Sequence, residues 1–207
     1  SAGFVYRPPR FIPPADLKDC MTAGSPSSKK VGLVGAAVSD YPDLADICNH
    51  ASQNGLSLSF SSLRANALTP DLVRLLRQSG VKTATIAPDA GSQRMRRENN
   101  KGITETDILN ATTMLVSGGI PNLKLYFMVG LPTETEADIT ATIELCKQVK
   151  ACFLEASRSQ KRIGTITVSL NPFIPKPFTP FQWAPMDQLS IIKKKIKTIR
   201  DGLRRIP

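Results

Sequence analysis

The sequence predicts an α/β fold whose strands form a parallel β-sheet. Short apolar or alternating segments recur five times along the chain, and a segment with helical character follows nearly every one of them. The strand-like segments begin about 25–45 residues apart, which is typical of βαβ units. Because such crossovers are right-handed, two architectures remain open: a doubly wound sheet and a (β/α) barrel.

The predicted strands cover residues 31–35, 56–60, 83–87, 123–129 and 163–170. Thr69-Pro70-Asp71 is typical of a helix start, since it offers a capping hydroxyl, a proline in the first turn and an acid near the positive helix end. Thr104 and Asp107 have the spacing of a capping box, and glycines end both of these helices. Further helices are predicted over residues 15–23, 43–53 and 135–157, and from Asp187 onward.

The composition argues against several classes of protein. The 207 residues are 41% hydrophobic, and no apolar run approaches the roughly 20 residues of a membrane span, so we expect a cytoplasmic protein without a membrane partner. No basic-then-apolar leader follows Ser1. The four cysteines stand singly and are predicted to be buried reduced thiols. With one histidine, His50, and no GxSxG motif, neither a zinc site nor a serine hydrolase is expected.

Polar and small residues follow every predicted strand. In parallel α/β folds the carboxyl ends of the strands meet at one rim, where ligands bind. The rim would gather residues 35–40, 61–64, 87–92, 129–135 and 171–176, with Lys101 close behind. A carboxylate, basic groups, hydroxyls and glycines together suit a zwitterionic ligand that bears a ribose. Each residue also has a plainer explanation: Asp89 as a turn residue, Arg64 as a solvated side chain, and residues 130–132 as an ordinary βα turn.

Three motifs resemble the radical S-adenosylmethionine (SAM) superfamily. Ile86-Ala-Pro-Asp-Ala-Gly-Ser92, followed by Asn99-Asn-Lys-Gly102, is similar to the family's fourth-strand region. Tyr126-Phe-Met-Val-Gly-Leu-Pro-Thr-Glu-Thr135 resembles its fifth-strand glycine motif. Asn171-Pro-Phe-Ile-Pro-Lys-Pro-Phe-Thr-Pro-Phe-Gln-Trp183 is similar to the sixth-strand region of a subgroup that includes enzymes with a cobalamin-binding domain.

The opening residues, Ser1-Ala-Gly-Phe-Val-Tyr-Arg-Pro-Pro-Arg10, resemble the continuation of that subgroup's CxxxCxxC cluster loop. The resemblance implies a partial (β/α)6 TIM-like barrel that lacks its first strand and the three cluster cysteines. It also implies SAM, a 4Fe-4S cluster in the full-length protein, an electron donor, and cobalamin in a preceding domain. The implied reaction is reductive cleavage of SAM to a 5′-deoxyadenosyl radical, which the fragment alone would not perform.

The resemblance also assigns cofactor-binding roles, which we carry over as expectations. Second-strand positions would meet the methionine amino group, third-strand positions would approach SAM, and Asp89 stands where a Glu or Gln commonly contacts the ribose or methionyl part. Lys101 would pair with the SAM carboxylate, and later residues would flank the adenine. The predicted set is Gly35, Ala36, Ala37, Ser61, Arg64, Asp89, Lys101, Val129, Gly130, Leu131, Asn171 and Phe173.

The C-terminal segment is strongly basic. We divide the chain into a barrel core, residues 1–186, and an amphipathic helix, residues 187–207, whose apolar stripe recurs at helical spacing through Ile192, Ile196, Ile199 and Leu203. The net charge of +10 leaves an alternative function open: an RNA- or tRNA-binding module, or a methylthiotransferase-like RNA-modifying domain. The resemblance also implies an open sheet edge at the first remaining strand, which residues 1–30 or self-association would cover. The substrate is unknown.

Overall fold

The computed structural model describes residues 10–35, 38–160 and 163–206. Within these residues five strands alternate with seven helices. The strands are β1 (Lys30–Leu33), β2 (Ser57–Phe60), β3 (Thr83–Asp89), β4 (Asn122–Val129) and β5 (Ile166–Pro172). The helices are α1 (Pro14–Gly24), α2 (Leu44–Gln53), α3 (Pro70–Gln78), α4 (Gln93–Glu98), α5 (Glu105–Ser117), α6 (Glu136–Gln160) and α7 (Leu189–Arg204).

The predicted helix starts are confirmed by their hydrogen bonds. Thr69 Oγ1 accepts from the backbone N–H of Leu72 at the start of α3. At the start of α5 the capping box is reciprocal: the Asp107 N–H donates to Thr104 Oγ1 at 3.1 Å, and the Thr104 N–H donates to Asp107 Oδ2 at 2.7 Å. Each bond satisfies a backbone donor that the first helical turn leaves without a partner.

All strand pairs are parallel, and the strands follow one another in chain order. The pairs are β1–β2, β3–β4 and β4–β5. A backbone hydrogen bond of 2.8 Å from Leu63 N–H to the Thr85 carbonyl joins β2 to β3 through a single bridge. A doubly wound sheet reverses its strand order at a switch point. The sequential order decides for a partial barrel of the (β/α) type, one of the two architectures that the sequence left open.

The two faces of the sheet differ in chemistry. On the outer face Leu123, Leu125 and Phe127 of β4 are fully buried in one core with residues of α3, α5 and α6. The alternate residues of β4, Lys124 and Tyr126 among them, are only half-buried. They lie on the opposite face, which we call the inner face and which is the concave side of such a barrel.

Helix α7 packs its apolar stripe on the outer face. Ile192 and Ile199 are buried in a cluster with Val129 of β4 and Ile139 of α6, so the predicted stripe is confirmed. Among the described helices none is long and apolar enough to cross a membrane.

Two details of the fold differ from the sequence prediction. Cys20 is exposed and Cys152 is only half-buried, contrary to the expectation of four buried thiols; α1 turns Leu17 and Met21 toward the core instead of Cys20. Strand β3 extends through Pro88 to Asp89, where the register with β4 shifts by a bulge after Ile86. A bulge tolerates a proline that a regular ladder position would not.

Helix α1 covers part of the face of β1. Leu17 and Met21 share a cluster with Val31 and Leu33. Within the residues described, β1 pairs with β2 alone. Self-association through the second edge of β1 stays a prediction, and residues 1–9, which were expected to help cover it, lie outside the described part.

Candidate functional site

The ends of β1 and β2 are tied together by polar contacts. Ser61 Oγ donates to the Gly35 carbonyl at 3.2 Å, and Arg64 Nη1 donates to Asp40 Oδ2 at 2.9 Å. Gly35, Ser61 and Arg64 therefore lie together on the predicted rim. The Arg64 charge is neutralised by Asp40, which the sequence did not indicate as its partner. Ala36 and Ala37, two further predicted site residues, lie outside the described residues.

Asp89 and Lys101 meet at the end of β3. Lys101 Nζ lies 2.7 Å from Asp89 Oδ2, with both side chains about a quarter exposed. Asp89 has a φ of 65°, a left-handed conformation that asparagine and aspartate adopt more readily than most residues. Asn100 and Gly102, on either side of Lys101, also have positive φ. Two predicted cofactor-binding residues are thus brought together, as an ion pair open to one side.

A buried arginine holds the loop between β3 and α4. Arg96 is 1% exposed, and its Nη1 donates to the carbonyls of Ala90 at 3.0 Å and Gly91 at 2.7 Å. Burial lowers the pKa of Arg96, and the nearby Glu105 charge opposes that shift. Because arginine keeps its proton far above neutral pH, the cation stays and fixes this loop. This role was not predicted, since nothing in a basic run of the sequence marks one member as buried.

Asp138 joins the β3–α4 loop to the β4–α6 loop. It accepts hydrogen bonds from Ser92 Oγ at 2.5 Å, from Arg94, and from Thr135 through both its N–H and its hydroxyl. Burial raises the pKa of Asp138, but these hydrogen bonds outweigh it and hold the pKa well below its usual range. Thr135 and Asp138 have capping-box spacing, so a sequence signal for this residue existed.

A second network ties the glycine motif to α7. The Gly130 N–H donates to Glu134 Oε2 at 2.8 Å, and the same oxygen lies 2.8 Å from Lys195 Nζ. Lys195 also contacts Asp187 Oδ2 at 2.7 Å. Burial lowers the pKa of Lys195, whereas the two carboxylates raise it, and the net direction is upward. Gly130 has a φ of 77°, and an added Cβ would lie 3.2 Å from Asp187 Oδ2, so both conformation and space favour glycine.

The residues predicted to flank the adenine lie apart from one another in their packing. Val129 is fully buried against α7, and its carbonyl accepts a hydrogen bond from the Phe173 N–H at 2.8 Å. Leu131 and Phe173 are buried together in a small cluster that also holds Ala90 and Met95. Asn171 is in register with Met128 of β4, and its side chain is exposed.

The cysteines do not form a metal site. Cys20 lies on α1, Cys48 on α2, and Cys146 and Cys152 on α6. In the described ranges no three His, Cys, Asp or Glu side chains lie close enough together to hold a metal ion. Burial raises the pKa of Cys146 to about 12, so this thiol stays protonated at neutral pH.

The sequence profile of the Radical SAM superfamily matches residues 2–146. This chain belongs to that superfamily. The uncharacterized protein MJ0966 of Methanocaldococcus jannaschii is 42% identical over 203 residues, which are 97% of this chain and 42% of that protein. A tRNA-2-methylthio-N(6)-dimethylallyladenosine synthase of Clostridium tetani is 25% identical over 174 residues, covering 78% of this chain and 38% of the synthase. The chain therefore spans less than half the length of these relatives.

A solved structure supports the fold. Coproporphyrinogen III oxidase (HemN) of Escherichia coli, a radical SAM enzyme, aligns over 91% of this chain and 45% of its own, with a TM-score of 0.68 and 12% identity. The partial barrel is thus shown by both topology and structural similarity.

The rim of this radical SAM chain fits the charges of SAM. The methionyl part carries an ammonium and a carboxylate, and the Asp89–Lys101 pair offers the two complementary charges, with both side chains partly exposed. If a zwitterion binds there, the one Asp89–Lys101 ion pair can be replaced by two, one from each side chain to the ligand. The cysteines, by contrast, do not fit a 4Fe-4S cluster, which needs grouped thiolates.

Proposed function

We propose that this chain forms the SAM-binding part of a radical SAM enzyme, with SAM lying along the carboxyl ends of the strands. The observation that carries the proposal is the Asp89–Lys101 ion pair at the bulged end of β3, where a carboxylate and an ammonium face the rim. Asp89 would accept from the ribose or the amino group, and Lys101 would pair with the carboxylate. Gly35, Ser61, Arg64, Gly130 and Asn171 would complete the rim, chiefly through backbone and hydroxyl groups, with Leu131 and Phe173 packed beneath it.

The test measures SAM binding to the 207-residue chain by isothermal titration calorimetry. We expect saturable binding to the unaltered chain, with the affinity lowered about tenfold or more in Asp89→Asn and Lys101→Met, since each change leaves one SAM charge without its partner. Matched controls are Asp71→Asn and Lys82→Met, which remove the same charges from exposed positions away from the rim. The proposal fails if the unaltered chain shows no saturable heat, or if the control variants lose as much affinity as the rim variants.

The cluster belongs, in this proposal, to a part of the longer protein beyond these residues. With its cluster, SAM supplies the family's reductive cleavage chemistry; this chain's residues bind and orient SAM and shield it from water. We expect the chain alone to cleave no SAM and to show no iron–sulfur absorption after anaerobic reconstitution. A stable four-iron cluster on this chain would contradict that expectation. An electron donor, cobalamin binding by a preceding domain and the cytoplasmic location stay predictions about the whole protein.

One observation favours a second candidate function, contact with an RNA substrate. Lys193, Lys197, Arg200 and Arg204 are all exposed and recur at helical spacing along one side of α7, each one position beyond a residue of the apolar stripe. A row of cations of this kind binds phosphates by electrostatic attraction, and the affinity falls as the salt concentration rises. We expect tRNA affinity to fall steeply with added salt, and to fall further in Lys197→Glu than in Lys150→Glu. Equal affinities in the two variants would argue against this surface.

A further inference from the structure

The inner face of β3, β4 and β5 carries a row of polar side chains below the rim. Lys124 lies on the central strand β4, and its register neighbours are Thr85 on β3 and Thr167 on β5. Two residues farther along, Tyr126 is in register with Ser169. The Lys124 Nζ lies 5.0 Å from the centroid of the Tyr126 ring, so these two side chains share the inner face. Together the five residues form what we call the Lys124 row.

These groups have no polar partner among the residues that the structure describes. No carboxylate lies within ion-pair distance of Lys124 there, and the hydroxyls of Tyr126, Thr85, Thr167 and Ser169 make no hydrogen bond within that part of the chain. Parallel sheets usually bury both faces under apolar side chains. Here the outer face does so, whereas the inner face offers hydroxyl donors and a cation to a partly open space.

We propose that the Lys124 row binds an anionic group, a carboxylate or a phosphate, of a small-molecule ligand. The Tyr126 ring holds the ammonium by a cation–π contact and satisfies none of its N–H donors, which leaves them for an acceptor. The flanking threonine and serine hydroxyls are short donors at matching heights on the neighbouring strands. The row itself contains no acid, so its charge selects an anion and disfavours a cation.

The cation of the row lies well below the rim. Asp89 is in register with Phe127, three residues beyond Lys124 and one beyond Tyr126 on β4, and a strand rises roughly 3.3 Å per residue. Lys124 is therefore about 10 Å below the level of Asp89, and Tyr126 about 3 Å below it. An anion held by Lys124, Thr85 and Thr167 would occupy the barrel interior without displacing the Asp89–Lys101 pair. The site stands on the geometry of the inner face and does not depend on SAM binding at the rim.

The experiment follows backbone amide signals of the 15N-labelled chain by NMR during separate titrations with pyrophosphate and with malonate. We expect saturable shifts concentrated at residues 85, 124–126 and 167–169 with at least one of the two probes. The stronger probe identifies the ligand group as phosphate or carboxylate. Lys124→Met should lower the affinity about tenfold or more, because it removes the charge and keeps the length of the side chain. Lys82→Met, which removes an exposed lysine just before β3, should leave the affinity unchanged.

Two further variants keep the test decisive if Lys124→Met is poorly folded. Lys124→Arg keeps the charge and should retain the inner-face shifts, and Tyr126→Phe keeps the ring but removes the hydroxyl, so it should weaken binding a few-fold. The chain carries a net charge of +10, which attracts anions in general. Equal losses in Lys124→Met and Lys82→Met, shifts scattered over the surface, or no saturable shift with either probe would overturn the proposal.

Discussion

Substitution of Lys195 in α7 gives a direct test of a buried ion pair in this protein. Its ammonium lies between Glu134 Oε2 at 2.8 Å and Asp187 Oδ2 at 2.7 Å, and its side chain is 16% exposed. The Glu134 side chain is 4% exposed and also accepts from the Gly130 N–H. Replacing Lys195 with methionine keeps the packing of the helix and leaves the buried Glu134 carboxylate without its counter-charge.

The expected loss of stability depends on the partner that remains after Lys195 is removed. Removing one member of a buried ion pair costs about 3–5 kcal/mol. Glu134 keeps its hydrogen bond from Gly130, and Lys195 is not wholly buried, so we expect a cost at or just below the lower end of that range, about 2–3 kcal/mol. For a chain of this size that corresponds to a Tm lower by about 5–10 °C.

The assay is urea unfolding at pH 7, followed by circular dichroism. Lys193→Met on the same helix is the matched control, since Lys193 is exposed and its loss should change the free energy of unfolding by less than about 0.5 kcal/mol. The double variant Glu134→Gln with Lys195→Met should recover part of the loss. If Lys195→Met costs no more than Lys193→Met, or if the double variant recovers none of the loss, the buried-charge argument is refuted.

Three further predictions concern the rim and the thiols. The folded-state pKa of Asp138 is depressed, so its carboxylate stabilises the folded chain fully above the unfolded pKa of about 4, and this stabilisation is lost as the pH falls below that value. In urea unfolding, Asp138→Asn should therefore be strongly destabilising at pH 7 and far less so at pH 3. Gly91→Ala should destabilise the chain by about 1–3 kcal/mol or more in thermal melts, since the added Cβ would lie 2.2 Å from backbone atoms of Thr142, whereas Gly24→Ala, with open space, serves as the control. Cys20 should react quickly with a thiol reagent, and Cys146 only after unfolding. Equal rates would contradict the exposure of Cys20 and the burial of Cys146.

The sequence predicted the features of this fold that depend on near neighbours. Thr69 and Thr104 cap helices through bonds to residues three positions away, so their signal is local and complete. The choice between a doubly wound sheet and a barrel is not local. It depends on contacts such as Leu63 to Thr85, which join strands separated by a helix, and both architectures share the same alternation along the chain.

The sequence indicated which residues would lie on the rim but not which of them would pair with one another. Asp89 and Lys101 were both expected on the rim, yet their ion pair depends on left-handed residues at Asp89, Asn100 and Gly102 that fold the segment back. Arg96 stands in a basic run that resembles a solvated surface, and burial singles it out only in three dimensions. The aliphatic side chain of Val129 faces α7, because alternation along β4 places every second residue on the outer face.

The rim is held by contacts that do not involve its proposed ligand. Asp138 links the β3–α4 loop to the β4–α6 loop, and Lys195 links the latter to α7, so both loops are ordered by the protein itself. A ligand that finds its loops already ordered loses less conformational entropy on binding. The Asp89–Lys101 pair is different, because a zwitterion must first separate two groups that already satisfy each other. In the proposed binding, a ligand of single charge would leave one of the two side chains unpaired, so the pair would favour a zwitterion over such ligands.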